Sequence, residues 1–141
     1  MEIAKWMLAV VAVFNYGGFL FDAVLPRTAR MHLYNPAWPP HAKFHNGQTM
    51  LLGIMLGTLA LVILFGVRPL TLPIFFVAAT VAGAYFVAMV GAAFFPGTAW
   101  VDPAFRDQGP QPLGLDPQRL IAYVLCSLLA LGVFIGCVWS S

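Results

Sequence analysis

The chain has 141 residues, of which 61% are hydrophobic and only 9% are charged, and its mean hydropathy is +0.87. Because soluble domains carry about a quarter charged residues, this composition excludes an ordinary soluble protein and predicts an integral membrane protein. The formal net charge of +2 is too small for a nucleic-acid-binding protein, so no nucleic-acid partner is expected.

Four hydrophobic runs are each long enough to cross a bilayer, which takes about 20 apolar residues in a helix. Pro26 ends the first run, and Asp116 and Pro117 supply an N-cap and a first helical position for the last. We therefore predict an all-α fold, an integral membrane four-helix bundle that forms a single domain over residues 1–141. The predicted helices cover approximately residues 6–25, 41–67, 70–95 and 117–139.

Two long loops, 26–41 and 96–116, are predicted on the same side of the bundle, because a tight turn joins the second and third helices. The positive-inside rule then predicts that these loops are cytoplasmic and that both termini lie outside. The prediction depends on an excess of basic residues on the loop side: Arg27, Arg30, Lys43, Arg106 and Arg119 there, against Lys5 and Arg68 on the other side.

The segment from Met31 to Met50 contains all the histidines of the chain, His32, His41 and His45. If the two prolines before His41 begin the second helix, then His41, His45 and Gln48 stand at i, i+4 and i+7, on one helix face within about 40°. Polar side chains this close to a bilayer need partners. The segment is therefore either a structural plug or a functional site.

Helical spacing also brings polar residues of the first and fourth helices toward this segment. Asp22 lies near the end of the first helix and Tyr123 near the start of the fourth, both on the loop side. We predict one polar chamber under the loops, in which His45 carries a proton and Asp22 or Tyr123 orients it. These three are the candidate catalytic residues, and the candidate ligand-binding residues around them are Asn15, Gln48, His41, Arg119 and Trp38.

A structural interpretation of Asp22 stays open beside the functional one. A carboxylate within a span usually faces the bundle interior and pairs with another group. Its simplest partner would be Arg27, Arg30 or Arg119, which would make it half of a structural ion pair.

The histidines allow a further interpretation, because two of them at i and i+4 on a helix have the geometry of a metal site. The predicted ligands of a transition metal are His32, His41 and His45, with Asp22 as a further ligand. The structural alternative is a set of interfacial histidines bonded to water and to loop carbonyl groups.

Two pairs of glycines at four-residue spacing lie within the predicted helices. They are Gly53 with Gly57 and Gly132 with Gly136. Small residues at this spacing permit close contact between helices, either within the bundle or between protomers of a homo-oligomer.

The run from Asn35 to Gln48, NPAWPPHAKFHNGQ, follows an aspartate-containing first helix and precedes three more spans. With this layout the chain resembles an uncharacterised family of small four-helix membrane proteins. The step from Asp22 to Arg27 is similar, more distantly, to the EXPERA group of sterol isomerases and sigma-2-type receptors. That similarity implies a lipophilic ligand between the helices. The second helix here carries no carboxylate, so only Asp22 is available to balance a ligand cation.

Three functions follow from these patterns. The first is a bilayer-facing pocket for a membrane lipid or lipophilic small molecule. As an enzyme, such a pocket would isomerise or hydrate its substrate by His/Asp acid–base chemistry, with no redox cofactor expected. The second is a non-catalytic accessory subunit of a larger membrane complex, and the third is a histidine-ligated transition-metal site for oxidation or metal handling.

Overall fold

A computed structural model describes residues 1–106 and 108–139 of the chain. It is all-helical, with 73% helix and no strand within those residues. Four helices are long and apolar enough to cross a membrane, so the chain is a multi-pass membrane protein, as the composition predicted. These helices are α1 (Glu2–Val24), α2 (Pro40–Gly66), α3 (Leu72–Ala92) and α4 (Pro117–Val138).

Helix α1 begins at Glu2 rather than near Trp6, because its first charged residues satisfy each other. Lys5 Nζ and Glu2 Oε2 lie 2.6 Å apart, and an acidic residue in the first turn suits the positive end of the helix dipole. The backbone is not uniform along the helix. Its segments are Glu2–Phe14 and Gly17–Phe19, both α-helical, and Leu20–Val24, a wider π-helical turn.

The π-helical turn Leu20–Val24 lies at the loop end of α1 and contains Asp22. Its backbone hydrogen bond from Leu25 N–H to Leu20 O spans five residues at 2.9 Å. Leu25 itself is extended, because the residue before a proline is disfavoured in the α-helical region, and Pro26–Ala29 forms one further helical turn. Hydrophobic periodicity did not predict the π turn.

Local residue chemistry accounts for the ends of the other helices. Pro40 takes the first position of α2, where its missing N–H is not needed. Asp116 Oδ1 accepts a hydrogen bond from Arg119 N–H at 2.8 Å, so the predicted N-cap of α4 is confirmed. Helix α3 ends at Ala92, which leaves Phe94 and Phe95 outside it and strongly exposed.

Each helix packs against its neighbours in the chain, and α4 also packs against α1. The order around the bundle is therefore α1, α2, α3, α4. Helices α1 and α3 also touch across the centre, whereas α2 and α4 occupy opposite corners. Helices α2 and α4 are consequently not close neighbours in the bundle.

The glycine pairs are confirmed as close contacts within the bundle. A Cβ atom at Gly57 would lie 2.6 Å from the carbonyl oxygen of Ala12, and one at Gly53 would lie 2.6 Å from that of Asn15. These glycines let α2 approach the backbone of α1. An added Cβ atom at Gly132 would likewise contact the Leu8 side chain, and one at Gly136 would contact Phe75. Both glycine pairs therefore permit close packing between helices of one chain.

Candidate functional site

Asp22 is held by partners from α2 and from the first long loop. Its Oδ2 accepts a hydrogen bond from Asn46 Nδ2 at 2.8 Å, and its Oδ1 lies 3.4 Å from His32 Nδ1. That histidine nitrogen also lies 3.0 Å from Thr28 O, which can only accept, so Nδ1 carries a proton. The ring of His32 meets the edge of Trp38 at 5.8 Å between centroids. These four side chains form the Asp22 cluster.

No arginine pairs with Asp22 in the part of the chain that the structure describes, which corrects the structural interpretation made above. Arg27 Nη2 instead donates to the carbonyl oxygen of Gln108 at 2.6 Å. Arg119 lies on α4, where its Nε donates to Tyr123 Oη at 3.1 Å. The Asp22 carboxylate is therefore held by an amide and an imidazole, and these two arginines bond elsewhere.

His41, His45 and Gln48 share one face of α2, as their spacing predicts, and all three are exposed. His45 Nδ1 lies 3.2 Å from Gln48 Oε1, and an amide oxygen only accepts, so Nδ1 is protonated. His45 Nε2 lies 3.0 Å from His41 Nε2, and a single proton between the two nitrogens makes this bond. We call these three residues the histidine pair with Gln48.

An apolar groove with a volume of about 460 Å³ runs along the outside of α2 directly beside this pair. Gly47 lies at its base, and a Cβ atom there would meet no described residue within 4 Å. Gln48 belongs to both features, because its side chain lines the groove and bonds to His45. The residues that line the groove are Phe44, Gly47, Gln48, Leu51, Leu52 and Met55.

Arg119 and Tyr123 form a separate contact on α4. The guanidinium carbon of Arg119 lies 5.5 Å from the centroid of the Tyr123 ring, and Trp100 meets that ring edge-on at 6.0 Å. This contact fastens the second long loop to α4. It lies on the helix opposite α2, away from the histidines.

Asn15 is completely buried and links α1 to α3. Its Nδ2 donates to Val11 O at 3.0 Å and to Ala82 O at 2.9 Å. Its side-chain oxygen has no hydrogen-bond partner within the described residues. The geometry is that of an interhelical polar tie, and it places Asn15 at a different level from the loop-side groups.

The structure distributes the predicted chamber over several places. Asp22 belongs to the Asp22 cluster, His45 points outward from α2, and Tyr123 contacts the loop on α4. The three candidate catalytic residues are therefore not brought together. The reason lies in the helix order, because α2 and α4 are diagonal and His45 lies on the outer face of α2.

Sequence reasoning missed Asn46, although a signal for it was present. Asn46 lies two turns before Gly53 on the helical face that packs against α1, so its side chain must meet the end of α1. Tyr85 on α3 was also missed. Its ring packs near Gly18 and Gly53, close to the same end of the bundle.

The histidines do not assemble into a three-ligand centre. Within residues 1–106 and 108–139 no group of three His, Cys, Asp or Glu side chains is placed to hold a metal ion. His32 contacts Asp22, whereas His41 contacts His45. Any metal would therefore have only two imidazole ligands from this chain at one place.

Comparison with known proteins gives a family. A family described as "Family of unknown function (DUF6640)" matches residues 7–136, from α1 into α4. The chain matches no curated protein and no solved structure.

Proposed function

We propose that this chain, which belongs to the DUF6640 family of unknown function, binds a single-chain amphiphile from the bilayer in the groove along α2. The apolar body of the ligand would lie over Gly47 and Leu51. Its polar headgroup would contact Gln48 and the histidine pair at the loop end.

The observation that supports this proposal is the polar end of an otherwise apolar groove. Five of the six lining residues are apolar or glycine, and the sixth, Gln48, is bonded to His45. From Phe44 to Met55 the groove extends roughly 16 Å along the helix. An amphiphile at a membrane interface has the same polarity, with its headgroup at the surface and its chain toward the bilayer centre.

The polar end must decide which molecule binds. Lipid tails are as apolar as leucine, so transfer of a chain from the bilayer into the groove gives little net free energy. Hydrogen bonds to the headgroup can still contribute a net binding free energy, because the lipid tails of the bilayer offer no such bonds. The amide N–H groups of Gln48 make no hydrogen bond within the described residues, so they can donate to an oxygen atom of the headgroup. His41 Nε2 carries the proton shared with His45, so His41 Nδ1 can accept from a hydroxyl. A carboxylic acid or an alcohol supplies both an oxygen acceptor and a hydroxyl donor.

The test is photolabelling of the protein in vesicles with a long-chain fatty acid that carries a diazirine in its chain. Label on residues 44–55 is compared with label elsewhere on the same chain by mass spectrometry. Gly47→Leu should lower this ratio by about tenfold, which corresponds to a lost binding free energy of about 1.4 kcal/mol. The reason is that a leucine at this open position fills the groove without meeting the rest of the bundle.

The matched control is Gly91→Leu on α3, because an added Cβ atom at Gly91 also has no described neighbour within 4 Å. This variant should label as the parent does. Equal labelling of the Gly47→Leu variant and the parent would contradict the proposal. The similarity to EXPERA proteins favours a ligand between the helices instead, and in that case Asp22→Asn would abolish labelling and Gly47→Leu would not.

A metal ion at the histidine pair is the second candidate function. The two Nε2 atoms are 3.0 Å apart, and at Zn–N distances of about 2.0–2.1 Å both could bind one ion. Elemental analysis of the detergent-purified protein, beside the His41→Ala/His45→Ala variant, tests it. If the candidate is right, we expect about one metal per chain in the parent and none in the variant. Absence of metal from both proteins would contradict the metal site. The histidine pair would then remain a candidate contact for the ligand headgroup only.

A further inference from the structure

A second cavity lies at the loop end of α1, outside the groove and the Asp22 cluster. Its volume is about 420 Å³, and its walls come from two distant parts of the chain. One wall is the helical turn that follows α1, and the other is the second long loop. The hydrogen bond from Arg27 Nη2 to Gln108 O, at 2.6 Å, joins the two walls. The lining residues are Pro26, Arg27, Arg30, Met31, Phe105 and Gln108.

The described lining of this cavity is positively charged. Among the residues that the structure describes, two of the six that line it are arginines and none is acidic. Arg27 donates one hydrogen bond to the Gln108 carbonyl oxygen of the loop. The side chain of Arg30 is exposed and makes no hydrogen bond or ion pair within the described part of the chain. Asp22, the acidic residue nearest in sequence to the two arginines, is already engaged by Asn46 and His32. No carboxylate of the described residues pairs with either of the two guanidinium groups at this cavity.

The position of the cavity determines what can fill it. Helix α1 ends at Val24, and the cavity begins at Pro26, so it lies where a membrane-spanning helix leaves the hydrocarbon region. Phospholipid headgroups occupy this level of the bilayer. Met31 and Phe105 add an apolar wall, which a dissolved anion would not use but the glycerol and upper chain of a lipid would.

We infer that this cavity binds the phosphate group of an anionic phospholipid. Arginine is suited to the task, because its planar guanidinium donates paired hydrogen bonds to phosphate oxygens. Basic pockets at the membrane surface of a helical bundle bind lipid headgroups by the same chemistry. The lipid would bridge Arg27 and Arg30 and would hold the second long loop against the end of α1. This site is independent of the groove on α2.

The experiment uses the full chain in detergent, exchanged with an equal mixture of phosphatidylglycerol and phosphatidylcholine. Retained lipids are counted by native mass spectrometry. The parent should retain phosphatidylglycerol in preference, and Arg30→Gln should reduce that preference by about tenfold, through loss of one charge-assisted contact. Arg30 makes no bond that the fold needs, so this variant should stay folded. The Arg27→Gln/Arg30→Gln variant should remove the preference.

The matched control is Lys43→Gln/Arg106→Gln, which removes two positive charges from the same side of the bundle without touching the cavity. It should keep the preference for phosphatidylglycerol. Equal loss in both double variants would mean that general surface charge attracts the lipid, and this would overturn the inference. A parent without any preference would overturn it as well. Retention of added inorganic phosphate by a parent protein that shows no preference between the two lipids would identify a dissolved anion as the ligand and reject the lipid.

Discussion

Replacing Gly57 by alanine should destabilise the bundle by about 1–3 kcal/mol, the usual effect of adding a methyl group to a filled core. The added Cβ atom would lie 2.6 Å from the Ala12 carbonyl oxygen and 3.0 Å from Tyr16 Cε2. The first of these neighbours is backbone, which cannot rotate away as a flexible side chain can. Helices α1 and α2 must therefore move apart, and the loss extends to the contacts along both.

The measurement is the free energy of unfolding in mixed micelles, followed by circular dichroism as denaturing detergent is added. Gly47→Ala is the matched control, because it lies on the same helix and its Cβ atom meets nothing within 4 Å. There the higher helix propensity of alanine should leave the stability unchanged or slightly increased. Equal losses in the two variants would show that α1 and α2 are not in contact at Gly57.

Replacing Asn15 by aspartate should destabilise the protein by about 3–5 kcal/mol, the range found when a buried charge loses its partner. The two side chains have nearly the same shape, so packing is preserved. The change removes both hydrogen bonds that Asn15 donates, to Val11 and to Ala82, and puts a carboxylate against their carbonyl oxygens. The site is completely buried, so water cannot compensate.

Asn15→Leu separates the effect of charge from the effect of the lost hydrogen bonds. An apolar side chain of similar size should cost only about 1 kcal/mol, since interhelical hydrogen bonds in membranes contribute that amount or less. Both variants are compared with the parent in the same unfolding titration. A stability of Asn15→Asp equal to that of Asn15→Leu would mean that water or another group reaches this position.

The parts of the fold that depend on local chemistry were predictable. Four hydrophobic runs define four helices, and Asp116 with Pro117 begins α4 because its cap and its proline act within one turn. The glycine pairs were recognised as contact points for the same reason. The π turn was not predictable, because the apolar residues Leu20 and Phe21 fit a regular α-helical turn as well as a π turn.

The candidate site was predictable at the level of helix faces but not of helix neighbours. Spacing correctly put His41, His45 and Gln48 on one face, but a single helix does not indicate which way its face turns in the bundle. The glycines at 53 and 57 mark the face toward α1, so the histidines had to lie elsewhere and Asn46 had to meet Asp22. Once that pairing and the helix order are known, the separation of Asp22, His45 and Tyr123 follows.

The π turn at Leu20–Val24 has a mechanical consequence for everything that follows it. A turn of this kind holds one residue more than an α-helical turn, so it offsets the chain beyond it by about 100° of rotation and 1.5 Å of rise. Asp22 lies within the π turn, and Arg27, Arg30 and His32 all follow the turn in the chain. A change that converts this turn to regular α-helix would therefore rotate the residues after it. The side chains of the Asp22 cluster and those of the arginine cavity would change direction together.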